Sequence, residues 1–376
     1  MELEYLSSRL LRFQNALKAH GIAVALISNP KTFYYLTGHK PLLSVSPTRP
    51  WYLIAPATGD PIACVSSIGF DNIQSANPAL SLKTWPSPSP NDKGLSTIVR
   101  VILDLTRSGD VVGLELGREM RAFMPVGDLD QFRRKLSQLK FADAADAIWE
   151  TREIKDAVEI AAMRKAIAAA QFAFDKIGEV LVAGATEEDL ARQFQQFALA
   201  GGADSVGYLA CCSGPSGYSS LTRAASNRML ENHDIIGFDT GVIVGEMWCD
   251  FNRNFSIGPW NTDVLRAQNA LRAAIHHASQ FIREGANVSQ LRKEMETFIQ
   301  QAGFVPDQTG RWGHGVGLDF TEPPSITSAD DAVLKKGMVI TLEPLINLDG
   351  HGYPNARMLV YEDMFLVDKD GAEQLT

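Results

Sequence analysis

The chain has 376 residues, of which 45% are hydrophobic, so it is long enough to bury a large core and to form two domains. Its formal net charge of −9, with no basic run, argues against nucleic acid as a partner, and four cysteines without a framework spacing favour a reduced, cytoplasmic protein. We expect no signal peptide after the acidic start M-E-L-E-Y-L-S-S-R-L, and no membrane span, since no apolar run approaches the roughly 20 residues required.

The first 145 residues alternate helical and strand-like patterns. Helix-like stretches at 4–20 and 93–107 are interspersed with four short β-rich runs: A-V-A-L-I-S, W-Y-L-I-A-P, P-I-A-C-V-S and V-V-G-L-E-L. Residues 85–94 contain three prolines and are predicted to form a surface loop. This alternation predicts a small α/β domain over residues 1–145.

The remainder of the chain, residues 146–376, is predicted to be a separate α+β domain. We expect A-I-W-E-T-R-E-I-K (147–155) to open a long amphipathic helix that marks the domain boundary. Thr186 followed by Asp189 is typical of a capped helix start, and that helix should run to about Ala200. Two further helices are predicted, at about 262–284 and 288–303, and all should pack on antiparallel strands.

Five acidic and imidazole side chains in this second domain have the spacing of a two-metal site. They are Asp239, Asp250, His314, Glu343 and Glu362. Carboxylates can bridge two divalent ions such as Mn, Co, Fe or Zn, and an imidazole fills a terminal position. Two such ions share a hydroxide that is a hydrolytic nucleophile. The set therefore predicts a metal-dependent enzyme, and the absence of a thiolate argues against a structural zinc site.

Local patterns predict how four of these side chains meet. The stretch T-G-V-I-V-G-E-M-W-C separates Asp239 from Asp250, so a strand, a turn at Gly245 and a returning strand would bring both aspartates onto one sheet. Glu343 and Glu362 flank the turn-rich segment N-L-D-G-H-G-Y-P-N and are expected on neighbouring strands of a second hairpin.

Histidines outside the set are interpreted as structural or solvated. His276 and His277 are adjacent on a predicted helix, where neighbouring side chains point about 100° apart and cannot chelate one ion. His351 lies in the turn-rich segment between two of the acidic residues and is interpreted as a solvated turn histidine.

These motifs resemble the creatinase/aminopeptidase P/prolidase family of pita-bread metallohydrolases. The matching elements, in order, are D-T-G at 239–241, Asp250, G-H-G-V-G-L at 313–318, G-M-V-I-T-L-E-P at 337–344, and Glu362 with Asp363. Residues 9–38 are similar to the family's opening helix, strand and Y-L-T-G turn. The resemblance implies a pita-bread catalytic domain at 146–376 preceded by a creatinase-type domain at 1–145.

The resemblance also implies roles for the five residues. Asp250 and Glu362 would bridge two divalent ions, Asp239 would bind one ion, and His314 and Glu343 would complete the shell of the other. Either Glu343 or Glu362 would take the proton of the attacking water. Family members commonly form homodimers in which the first domain of one subunit overhangs the other's cleft, and residues 34–43 are the segment expected to do so.

The chain departs from the family's peptidases at three positions. Leu221 or Thr222 stands where they carry one histidine, and Thr321 stands where they carry another, in T-E-P-P instead of H-E-P-P. Val360 replaces an arginine two residues before the last ligand, although Arg357 is close in sequence. Because the family uses these residues to orient the scissile carbonyl and shuttle protons, the departures predict weak turnover of proline peptides.

Three functions follow from this pattern. The first is hydrolysis of the C–N amide bond of a dipeptide (Xaa-Pro type) or short peptide through a metal-bridging hydroxide. The second is a non-peptidic small-molecule reaction on the same fold: amide hydrolysis as in ectoine hydrolases or creatinases, or C–S elimination as in lyases of dimethylsulfoniopropionate (DMSP). For either, Thr222, Arg223, Thr321 and Arg357 are expected to shape the substrate pocket. The third, a binding module without catalysis, is disfavoured because all five predicted ligands are present.

Overall fold

The computed structural model describes residues 3–46, 48–349 and 357–376. The chain divides into two compact units, Met1–Arg152 and Glu153–Thr376, so the division lies a few residues after the boundary expected from the sequence. His351 lies outside the described residues. Within the described ranges, no helix is long and apolar enough to cross a membrane.

The first unit is built on one six-stranded mixed sheet in the order β4-β3-β2-β1-β5-β6. The β1–β2 and β2–β3 pairs are antiparallel, whereas β3–β4, β1–β5 and β5–β6 are parallel. Its strands are β1 Val24–Ile27, β2 Tyr52–Pro56, β3 Ile62–Ser66, β4 Ser81–Trp85, β5 Val111–Leu114 and β6 Lys140–Asp143. Its helices are α1 Leu3–Ala19, α2 Pro30–Thr37, α3 Phe70–Ala76, α4 Leu95–Leu105, α5 Val126–Lys135 and α6 Ala145–Arg152, with short 3₁₀ turns at Leu42–Val45 and Ser67–Gly69.

Helix α4 covers one face of this sheet because its apolar residues recur at helical spacing. Leu95, Ile98, Val101 and Ile102 are buried in one cluster with inward-facing strand residues such as Leu26. This layered packing of helices on a mixed sheet confirms the predicted α/β class of the first unit.

The second unit is an α+β structure, and its described residues form three sheets. Its helices are α7 Ala157–Val180, α8 Glu187–Ala200, α9 Thr262–Ser279 and α10 Val288–Gln301. Its first strands are β7 Ser205–Pro215, β8 Asp234–Val244, β9 Met247–Trp248, β10 Phe251–Ser256, β11 Val305–Pro306 and β12 His314–Gly315. The remaining strands are β13 Glu322–Ser325, β14 Val339–Leu342, β15 Leu345–Asn347, β16 Met358–Val360, β17 Asp363–Val367 and β18 Ala372–Gln374.

The first sheet of the second unit has the strand order β10-β8-β7, and β9 also pairs with β8. The second sheet has the order β13-β12-β14-β17-β18, and the third has the order β11-β15-β16. All of their strand pairs are antiparallel. Helices α9 and α10 bury their apolar faces in one core with residues of β14 and β16, including Leu271, Met295, Ile340 and Leu359. The α+β prediction for this part of the chain is confirmed.

The expected helix opening at 147–155 is wrong. Helix α6 ends at Arg152, and α7 begins only after Asp156, whose side chain accepts a hydrogen bond from the backbone N–H of Glu159 while the Glu159 side chain accepts one from the Asp156 N–H. This reciprocal cap fixes a new helix start that apolar periodicity alone did not reveal. The same device at Thr186 and Asp189, which the sequence did predict, begins α8.

Candidate metal centre

Two of the predicted ligands come from the hairpin that begins with β8. The turn consists of Gly245 and Glu246, which both have positive φ, as a two-residue hairpin with right-handed strand twist requires. Strand β10 then returns antiparallel to β8 and sets Asn252 opposite Asp239. Asp250 stands just before β10, so the hairpin brings the two aspartates close together, as their spacing predicts.

The other three ligands gather around β14, the middle strand of the five-stranded sheet. His314 lies in β12, whose Gly315 pairs with Ile340 of β14. The turn before it must be glycine, since a Cβ on Gly313 (φ +137°) would lie 2.1 Å from the Thr341 carbonyl oxygen. Glu343 directly follows β14 and Glu362 directly precedes β17, where Leu342 pairs with Asp363.

These elements bring ligand atoms close together in the core of the second unit. Asp250, His314 and Glu362 are buried and each offers one ligand atom within 4.8 Å of the others. The Nε2 of His314 lies 3.5 Å from Oδ2 of Asp250 and 3.7 Å from Oε1 of Glu343. Asp239 and Glu343 keep some solvent exposure, so the cluster opens on their side.

The ring of His314 is oriented for metal binding by its other nitrogen. Its Nδ1 lies 3.0 Å from the Gly315 carbonyl oxygen, which fixes Nδ1 as the protonated donor and leaves Nε2 toward the carboxylates. Thr341 supports the same cluster, since its hydroxyl accepts the His314 backbone N–H at 3.3 Å and hydrogen-bonds the Glu362 carboxylate.

Without a cation, the ionised forms of the clustered side chains are disfavoured. Burial raises the pKa of Asp239 to about 7, and burial together with the Asp239 charge raises the pKa of Glu343 to about 8. Burial and neighbouring carboxylates hold the pKa values of Asp250 and Glu362 well above their usual range. Burial, followed by the charge of Arg311, lowers the pKa of His314 to about 4, so its imidazole is neutral, as a metal ligand must be.

The residues fit a metal centre. Oδ1 of Asp239 and Oε1 of Glu362 are buried and have no hydrogen-bond partner among the described residues. Such orphaned acceptors are costly unless a cation or water satisfies them. Four carboxylates and one imidazole are also the donor set that divalent cations such as Mn, Co, Fe or Zn accept.

The four residues predicted to contact substrate have different surroundings. Thr321 accepts a hydrogen bond from Nη2 of Arg311 at 3.1 Å, and Arg311 in turn acts electrostatically on three members of the cluster. Thr222 is exposed and hydrogen-bonds Ser220 at 3.0 Å. The remaining two are held by carboxylates: Arg223 by the buried Glu187 and Arg357 by Asp349.

The motifs did not reveal three side chains near the cluster, Arg311, Tyr208 and Phe320. The Tyr208 hydroxyl donates a hydrogen bond to the Leu221 carbonyl oxygen at 2.7 Å and lies beside the Asp239 carboxylate, whose pKa it lowers. Its ring stacks on Phe320 with centroids 5.4 Å apart. Of these three, only Arg311 could have been suspected from the sequence, because it is a cation three residues before His314 in a glycine-rich segment.

Comparisons with known proteins agree with this geometry. The model of "Metallopeptidase family M24" matches residues 161–369, and that of "Creatinase/Prolidase N-terminal domain" matches residues 9–154. The solved structure of a recombinant prolidase from Thermococcus sibiricus superimposes with a TM-score of 0.86 at 26% identity, covering 100% of this chain and 97% of that one.

Two curated relatives are similar over part of their length. A Mycobacterium bovis protein described as a probable dipeptidase, PepE, is 34% identical over 230 residues, which are 61% of this chain and 60% of the relative. The chain thus spans less than two thirds of that relative's length. The Xaa-Pro dipeptidase of Pyrococcus horikoshii is 27% identical over 255 residues, which are 67% of this chain and 71% of the relative.

Proposed function

Because this chain belongs to metallopeptidase family M24 and carries a creatinase/prolidase N-terminal domain, we propose that it is a metal-dependent hydrolase that cleaves the peptide bond of a dipeptide. The single observation that carries the proposal is the convergence of Asp250, His314 and Glu362 within 4.8 Å, with Glu343 beside them. The relatives described as dipeptidases support the choice of a short peptide as substrate.

The proposed cofactor is a pair of divalent ions, with manganese as the first to test. Asp250 and Glu362 would hold both, Asp239 one, and His314 with Glu343 the other; the unpartnered oxygens of Asp239 and Glu362 support this assignment. When bound, such ions lower the pKa of water and polarise a carbonyl oxygen.

The side chain proposed to move the proton is Glu343. It stands at the open side of the cluster with about a fifth of its side chain exposed, so its carboxylate is accessible to a water and a substrate that enter the site. Glu362 is buried and is better suited to a fixed ligand role.

A second candidate is a non-peptidic small-molecule reaction on the same fold. The observation that favours it is Thr321, which stands where the family's peptidases were expected to carry a histidine and which binds Arg311 instead. The candidates include ectoine-type or creatinase-type amide hydrolysis and C–S elimination.

We infer a homodimer in which residues 34–43 overhang the partner's cleft, and a cytoplasmic location, which the four free, buried cysteines support. The domains would correspond to the expected 1–145 and 146–376, with the junction moved to the division after Arg152.

A substrate panel tests the proposal. Protein loaded with Mn²⁺, Co²⁺ or Zn²⁺ is incubated with Xaa-Pro dipeptides, other dipeptides, ectoine-type amides and sulfonium compounds, and products are measured by mass spectrometry. We expect amino acids from at least one dipeptide class, and loss of at least about 100-fold in kcat for Glu343→Gln. Asp263→Asn, an exposed carboxylate on α9, is the matched control and should leave kcat unchanged.

A further inference from the structure

Arg311 brings a positive charge to the edge of the metal centre. It lies in the loop before β12, three residues ahead of His314, and is half-buried. Its Nη2 donates to the Thr321 hydroxyl at 3.1 Å and its Nη1 to the Ser325 hydroxyl at 3.5 Å. Ser325 pairs with His314 across β12 and β13, so the contact with its hydroxyl holds the guanidinium beside the cluster. The positive charge of Arg311 acts on Asp250, His314 and Glu343 of that cluster.

Among the residues that the structure describes, no carboxylate forms an ion pair with this guanidinium. In the described part of the chain, its hydrogen-bond partners are the two neutral hydroxyls, and no acidic side chain lies within ion-pair distance. Thr321 and Ser325 occupy two of its five N–H donors, so the remaining donors are free to donate hydrogen bonds to an anionic ligand. A half-buried arginine left in this state is suited to bidentate recognition of a carboxylate.

The other arginines predicted to contact substrate are already paired. Arg223 donates to both oxygens of Glu187, at 2.8 and 2.9 Å. Arg357 donates to Asp349 through its backbone N–H and its Nε, both at 2.8 Å. Either arginine would have to leave its ion pair to bind a substrate carboxylate, whereas Arg311 has no such pair to break among the described residues.

An aromatic surface lies beside the same segment. Phe320, next to Thr321 in the chain, is 39% exposed, stacks on Tyr208 and lies 5.5 Å from Trp248 between ring centroids. Tyr208 also reaches Asp239 of the cluster. An apolar ligand side chain can therefore pack on aromatic rings close to a cationic group and to the metal centre.

We propose that Arg311 binds the C-terminal carboxylate of the dipeptide and that Thr321 positions the guanidinium for this contact. The inference rests on the proposed dipeptidase function and names its specificity: a substrate with a free carboxylate one residue after the scissile bond, whose side chain packs on Phe320. Thr321 would then have a role that a histidine at this position could not fill in the same way.

The test compares each free dipeptide with its C-terminal amide. For wild type we expect KM for the amide to exceed that for the free acid by about 10- to 100-fold, the range typical of a hydrogen-bonded charge contact. Arg311→Met should raise KM for the free acid by a similar factor, with kcat changed much less, and should abolish the discrimination. Arg311→Lys should restore part of it, because charge is kept but the planar fork is lost.

Two further variants separate positioning from structure. Thr321→Val should raise KM for the free acid several-fold without changing KM for the amide. Thr321→Ser keeps the hydroxyl and should restore the low KM for the free acid. Arg192→Gln, an exposed arginine on α8, is the matched control. Circular dichroism and metal content are recorded for every variant.

The outcomes distinguish the two proposals. If wild type hydrolyses dipeptides and prefers the free acid to the amide, and if Arg311→Met loses this preference, both the dipeptidase function and the role of Arg311 are supported. Hydrolysis with equal discrimination in wild type and Arg311→Met overturns the role of Arg311 and leaves the dipeptidase function standing. If wild type cleaves no dipeptide while it turns over another substrate, the dipeptidase function fails and this inference fails with it.

Discussion

Asp250 combines deep burial with the charges of two neighbouring carboxylates, Asp239 and Glu343. Such a group stays ionised only when a cation compensates it. We therefore expect Asp250→Ala to remove both divalent ions, because the residue proposed to bridge them is lost. Elemental analysis of protein purified with added Mn²⁺ measures the ratio of metal to chain.

The control for this variant is Asp263→Ala, which removes an exposed carboxylate in the first turn of α9. It should keep the metal ratio of wild type. Full metal occupancy in Asp250→Ala would refute the bridging assignment.

Single residues also mark the limit of what the sequence could predict about the site. The five ligand candidates were recognisable because their order and flanking motifs are specific. The partners of Arg311 and Arg223 were not, because each depends on which strands become neighbours. Arg223 resembled a pocket residue in sequence, yet it meets Glu187, a residue 36 positions earlier in the chain.

At the scale of elements, β13 is anchored by a buried ion pair that connects it to the loop before α7. Nζ of Lys155 lies 3.1 Å from Oε2 of Glu322, and both side chains are 1% exposed. Oε1 of Glu322 also accepts the backbone N–H of Leu318 at 3.0 Å, so this pair shapes the turn that follows His314.

We expect Lys155→Met to lower the free energy of unfolding by about 3–5 kcal/mol, because it leaves the Glu322 charge buried and unpaired. Urea unfolding followed by circular dichroism measures the change. The double variant Lys155→Met with Glu322→Gln should recover a large part of the loss. A single variant as stable as wild type would show that the pair does not hold β13.

The N-terminus of α8 is tied to the segment after β7 through Glu187. Burial alone would raise the pKa of this carboxyl, but hydrogen bonds from Arg223, Ser226 and Ser213 outweigh it and lower the pKa to about 2. Because the pKa of Glu187 is lower in the folded state than in the unfolded state, its ionised form stabilises the protein at pH values above the unfolded-state pKa, which is near 4.3. This stabilisation is lost as the pH falls toward 2.

The difference in melting temperature between wild type and Glu187→Gln should be largest near pH 6 and should shrink steadily between about pH 4.5 and pH 2. Differential scanning calorimetry over that range measures it. A difference that stays constant with pH would mean that the ionised form of Glu187 does not carry the stabilisation.

Elements differed in how well the sequence predicted them. Helix α8 was recognisable because Thr186 and Asp189 stand at capping spacing before an apolar pattern. The break between α6 and α7 was missed because apolar residues continue across it, and only the Asp156 cap interrupts the helix. Strand β4 was also missed, since its residues are mostly exposed and polar and carry no alternating apolar signal.

At the scale of the whole molecule, assembly is the first property to test. Leu42 lies in the segment proposed to overhang a partner and is 76% exposed, which is unusual for a large apolar side chain unless another surface covers it. We expect sedimentation at micromolar concentration to give the mass of two chains. Leu42→Glu should shift the protein toward the mass of one chain.

The control for assembly is Val182→Glu, which charges another exposed apolar residue, in the other unit. It should leave the sedimentation of wild type unchanged. A wild-type protein that sediments as one chain and is fully active would contradict the homodimer.

The central claim is that the five-residue centre hydrolyses dipeptides only when it holds divalent metal. The most direct measurement is the kcat for a cleaved dipeptide in chelator-treated protein, before and after Mn²⁺ is restored, alongside Asp250→Ala. We expect turnover on the order of 10 per second with metal, less than about a hundredth of that rate without it, and no recovery in Asp250→Ala when Mn²⁺ is added. Turnover that survives complete metal removal, or that returns fully in Asp250→Ala, would contradict it.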